Sequence, residues 1–106
     1  MKISPIKVKA LEITDAPGLD PVRVILQDLA AGQGRIIIEC YGRSWSTFWG
    51  SMGRHDLRAF ILICDAGYIE NALYRGQKTT KKERDYLLRI VTAVQNGIRQ
   101  SDGENA

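Results

Sequence analysis

The sequence predicts an α+β domain: a three-stranded antiparallel meander followed by three to four helices packed on one of its faces. Three observations carry this. Up to Tyr41 apolar residues recur at every second position, and after Ser44 they recur at steps of three and four. The links between the first three alternating runs are short, as in consecutive hairpins. Strand patterns come first and helix patterns afterwards, which places the helices on one side of a small sheet.

The first strand is expected over about 3–13, where Ile6, Val8 and Ala10 alternate with Lys7 and Lys9. The apolar phase changes at Leu11 and Ile13, as at a bulge or bend. The run T-D-A-P-G-L-D-P is dense in turn formers. A second strand follows over about 21–29, with Val22, Val24 and Leu26 on one face. Two glycines in A-A-G-Q-G suit a hairpin connection. The third strand, about 35–41, carries Ile36, Ile38 and Cys40 on one face and ends at Gly42.

Ser44 then reads as the N-cap of an aromatic helix over about 44–52. Trp45, Phe48, Trp49 and Met52 fall at i, i+3, i+4 and i+7, one helical stripe. Asp56 caps a second helix over about 56–65, with Leu57, Phe60, Ile61 and Cys64 on one face. A third, about 67–75, turns Ile69, Ala72 and Leu73 inward. Thr80 and Glu83 form a capping box for the last helix, about 80–97. Its stripe is Leu87, Ile90, Val91, Val94 and Ile98, and Asn96-Gly97 is the expected stop. Residues 1–100 form the domain, and 101–106 read as a frayed polar tail.

At 106 residues the chain is the size of one domain, able to bury about two-thirds of its unfolded surface. No apolar run approaches the ~18 residues that span a bilayer. The start, M-K-I-S-P-I-K-V-K, has no continuous apolar segment of the signal-peptide kind. Both cysteines, Cys40 and Cys64, sit in apolar patterns that suit a reducing compartment. The expected location is the cytosol. A net charge of +3 permits an anionic partner without demanding one.

Catalytic chemistry is sparse. His55, Asp56 and a cysteine could formally make a nucleophilic site, but both thiols lie on apolar faces, where they are inert. His55 reads as loop and Asp56 as a helix cap. One histidine and two cysteines at these spacings match no zinc pattern. The pairs Gly32/Gly34 and Gly50/Gly53 lack the lysine of a phosphate-binding loop. The residues point to a protein that is not an enzyme, with no cofactor and no metal.

The cations say more. Arg75, Lys78, Lys81, Lys82 and Arg84 fall within ten residues, opposed only by Glu83. Part of this group occupies a helix first turn, where the dipole disfavours positive charge. A partner bearing phosphates or an acidic surface would account for the mismatch, and so would a solvated helix end. Arg43, Arg54 and Arg58 bracket the aromatic stripe. With Trp45 or Trp49 exposed beside them they would make an aromatic-arginine binding surface; otherwise the stripe is core and the arginines edge it.

The run G-R-I-I-I-E-C-Y-G-R-S-W-S-T-F-W-G-S-M-G, followed by F-I-L-I-C-D-A-G-Y-I-E-N-A-L, resembles a group of small phage and prophage proteins of enteric bacteria. The likeness covers residues 34–73, and W-x-x-x-W-G-x-M-G is its distinctive part. It brings no catalytic residue. It implies a bacterial host and an accessory protein acting by stoichiometric binding to a host protein, such as an inhibitor of a defence or nucleic-acid-processing complex of the anti-CRISPR kind. The alternative is a protein of phage replication or recombination that binds DNA or RNA directly. An unpaired edge of the meander also leaves room for a homodimer.

Overall fold

One long loop, two two-residue turns and alternating apolar residues fold the first half of the chain into a four-stranded antiparallel sheet in the order β1-β2-β3-β4. The computed structural model describes residues 1–104. β1 is Lys9–Ile13, β2 Val22–Ala30, β3 Gln33–Cys40 and β4 Arg43–Trp49. The α+β class and the meander stand, with one more strand than expected.

The added strand replaces the expected aromatic helix over 44–52. Tyr41 (φ 51°) and Gly42 (φ 78°) are both left-handed, the signature of a type I′ hairpin turn, so Gly42 lies in a turn and Ser44 in a strand instead of a cap. Trp45 and Trp49 are four apart, a spacing that fits one face of a helix and one face of a strand. Phe48 separates the two: it is exposed on the opposite side. The β-branched and aromatic content of R-S-W-S-T-F-W favours the strand.

β1 is shorter than the expected 3–13. Pro5 offers no N–H to a ladder, and residues 1–8 lie outside the sheet. The phase change at Leu11 is not a bulge, because pairing with β2 is unbroken from Lys9↔Leu26 to Ile13↔Val22. The irregularity lies instead in β2, between Asp28 and Ala30.

The helices are α1 (Leu57–Ile63), α2 (Ala66–Leu73) and α3 (Lys81–Glu104), all close to expectation at their starts. Asp56 caps α1, its side chain accepting from the Ala59 N–H at 2.8 Å. Thr80 Oγ1 accepts from the Glu83 N–H at 3.1 Å, the first half of the expected capping box. α3 runs on past Asn96-Gly97 and through the start of the expected tail; residues 105 and 106 lie outside the described residues. Gly97 is there for packing: a Cβ on it would lie 2.7 Å from Ile13 Cγ1.

α3 crosses the strands from one sheet edge to the other. Tyr86 meets Trp45 of β4 edge-on at 6.2 Å and reaches Cys40 of β3. Arg89 donates to the Gly18 carbonyl in the β1–β2 loop at 2.8 Å, and Gly97 packs on Ile13 of β1. The core lies between Val22, Val24, Ile36, Ile38, Trp45 and Trp49 of the sheet and the predicted α3 stripe from Leu87 to Ile98, every member of which is buried. Each such side chain contributes about 1.5–3 kcal/mol. The other face of the sheet is open.

Candidate anion-binding cleft

The type I′ turn that makes β4 also places Arg43 at the strand's first position, beside the start of α3. Between them is an open cleft of about 670 Å³. Arg43, Lys81, Lys82 and Arg89 line it, with Glu83 and Asp85 interleaved and Tyr86 in its wall. Four cations therefore face two carboxylates, at a helix start whose free N–H groups also attract negative charge.

The wall is held by an aromatic relay. The Arg43 guanidinium stacks over the Trp45 ring at 5.1 Å, and Trp45 packs on Tyr86. Tyr86 Oη donates to Cys40 Sγ at 3.4 Å, and this bond, reinforced by burial, pushes the phenol pKa up to about 12. Lys81 and Lys82 are exposed and form no ion pair among the described residues. Arg89 is held by the Gly18 carbonyl.

The structure sorts the ten candidate residues. Arg43, Lys81 and Lys82 converge on the cleft. Arg75 and Lys78 are exposed in the loop between α2 and α3, leading into it. Arg84 is committed elsewhere, its Nε 3.3 Å from the buried Glu70 carboxylate. Arg58 pairs with Asp102 and ties α1 to α3. Arg54 follows the far end of β4 and shares no site with Arg43. Trp45 and Trp49 are both buried, so the exposed aromatic-arginine surface does not form. Trp49 packs on Phe60 at 5.3 Å and Tyr68 at 6.5 Å, and its Nε1–H has no acceptor among the described residues. Arg89 was missed, since nothing near it in sequence marks it as part of a cluster; only the crossing of α3 brings it to Arg43.

Cys40, His55, Asp56 and Cys64 form no unit. Cys40 is buried against Tyr86 and the Asp20 carbonyl, Asp56 is spent as a cap, and burial with the neighbouring Asp65 raises the Cys64 pKa. Among the described residues no three His, Cys, Asp or Glu side chains gather as metal ligands would.

A model for a phage protein family matches residues 1–82, over three-quarters of the chain. The chain belongs to this family. The matched segment holds the whole sheet, α1, α2 and the basic loop, and it ends on Lys82. No curated protein and no solved structure gives a significant match. No helix of the described residues is long and apolar enough to cross a membrane.

Proposed function

We propose that this phage protein acts by binding, without catalysis, and that its partner is a nucleic-acid backbone held at the cleft between β4 and α3. The observation that carries the reading is the convergence of Arg43 with Lys81 and Lys82. These cations come from distant parts of the chain and form no ion pair among the described residues, and the two lysines sit in a helix first turn where the dipole costs them stability. With the tryptophans in the core, the attraction is electrostatic, as in backbone recognition. Arg75 and Lys78 extend the track along the preceding loop.

The test is fluorescence anisotropy with labelled single-stranded and duplex DNA and RNA at two salt concentrations. Engaging two or three phosphates gives a log-log salt slope of about −1.8 to −2.7 on duplex DNA and about −1.4 to −2.1 on a single strand. Lys81→Glu/Lys82→Glu should abolish binding. The same change places acids in a helix first turn, where they are favoured, so lost binding would not reflect unfolding. No binding at low salt, or binding indifferent to the double variant, would sink the reading.

A second reading keeps the host-protein partner, such as a defence or nucleic-acid-processing complex. Glu83 and Asp85 interleave with the cations in the cleft. A protein surface of mixed charge matches that alternation better than a continuous phosphate backbone. Capture of a host protein from lysate, weakened by the same Lys81→Glu/Lys82→Glu change, from a chain that binds none of the labelled oligonucleotides at low salt, would favour it over the first.

A further inference from the structure

The open face of the sheet, remote from the cleft, has an ordered pattern. Strand register arranges its outward residues in three rows. The middle row is Ser46, Ile37, Ile25 and Ala10, apolar or small throughout. On one side lies Ser44, Glu39, Arg23 and Glu12, and on the other Phe48, Arg35 and Gln27. Phe48 is 47% exposed.

The charges on the two outer rows are opposite and unbalanced. Arg23 is shared between Glu12 at 2.9 Å and Glu39 at 3.4 Å, one cation for two carboxylates, which leaves that row one negative charge in excess. Arg35 gives the opposite row one positive charge and forms no ion pair among the described residues. Arg35 and Glu39 stand four residues apart on one strand, roughly 13 Å at about 3.3 Å per residue, too far to meet within the chain.

We infer that this face is the interface of a homodimer, two sheets packed face to face about a two-fold axis along the Ile25–Ile37 row. That axis reverses the strand direction, so it sets Arg35 of each protomer over Glu39 of the other, with the isoleucines meeting at the centre and Phe48 closing the rim. An isologous interface requires a self-complementary surface of this kind, and face-to-face sheet packing is a standard arrangement. The face is small: four strands about 4.8 Å apart and some seven residues long give roughly 400 Å² a side. This belongs to the weak, reversible class of interface. The inference does not depend on the cleft.

Sedimentation equilibrium from about 1 μM to about 1 mM protein covers the relevant affinities. The wild-type chain should show a concentration-dependent monomer–dimer equilibrium. Arg35→Glu and Glu39→Lys, each checked for native circular dichroism, should weaken it at least about tenfold, the effect of losing a close interfacial charge pair. The double variant Arg35→Glu/Glu39→Lys restores the pairing with signs reversed and should recover most of the loss, which no folding defect would do. A wild-type chain monomeric throughout overturns the inference. So does a dimer indifferent to these variants and to Phe48→Glu, which would place the contact at a sheet edge. A monomer whose oligonucleotide binding Phe48→Glu abolishes would give the face to nucleic acid and overturn it as well.

Discussion

The buried amide of Gln95 reaches from α3 to the end of α1, where its Nε2 donates to the Cys64 carbonyl at 2.8 Å and to the Ile61 carbonyl at 3.0 Å. The last carbonyls of a helix have no partner within it, and α1 is only seven residues long. One side chain thus closes the end of α1 and fixes its position on α3. Gln95→Leu keeps the volume and strands both carbonyls, at about 1–3 kcal/mol for each one left dry. Urea unfolding should show a loss of about 2 kcal/mol or more, with an unchanged m-value. A change within ~0.5 kcal/mol, typical of surface positions, would mean that water takes over both bonds.

The contact of Gly97 with Ile13 makes a second prediction. A Cβ at Gly97 meets Ile13 Cγ1 at 2.7 Å, an atom close to the backbone that cannot swing away. Gly97→Ala gains up to about 1 kcal/mol of helix propensity, set against about 1–3 kcal/mol of overpacking. The variant should be less stable than the wild type. In the Ile13→Ala background the same change should turn stabilising, and a thermal double-mutant cycle would expose that reversal of sign.

Much of this architecture was legible in the chain. Alternation located β2 and β3, and the three-and-four spacing from Leu87 to Ile98 located α3, because both periods report which face meets the core. The residues that failed are those serving two masters. Trp45 and Trp49 fit either period, and Tyr41-Gly42 lacks the asparagine or aspartate that usually announces a type I′ turn. Gly97 reads as a stop when its task is close approach. Within the site, the run Lys81–Lys82 was visible as local charge. Its union with Arg43 and Arg89 was not, because only the crossing of α3 over the sheet creates it.

Asp28 of β2 is a long-range cap. Its Oδ1 accepts from the Leu57 N–H at 2.8 Å, while Asp56 serves the Ala59 N–H, so two carboxylates satisfy the first turn of α1. Asp28→Ala should cost about 0.5–2 kcal/mol, the usual worth of a capping side chain. Asp28→Asn retains an acceptor and should recover most of that. Equal losses in the two variants would show that charge near the helix dipole, and not the hydrogen bond, is what matters.

Tyr86 makes the pH dependence testable. Its phenol is held protonated up to about 12, first by the bond to Cys40 and then by burial. A tyrosine in the unfolded chain ionises near pH 10. Between those values the folded state binds the proton more tightly, so stability falls as pH rises. The contribution is fully present below about pH 10 and is lost as pH rises through about 12. In an ultraviolet phenolate titration Tyr86 should give a late-ionising component. Tyr86→Phe should remove that late component and leave the rest of the curve unchanged. Should the late component persist in Tyr86→Phe, the Tyr86–Cys40 bond is not its source, and the wall of the cleft would need another support.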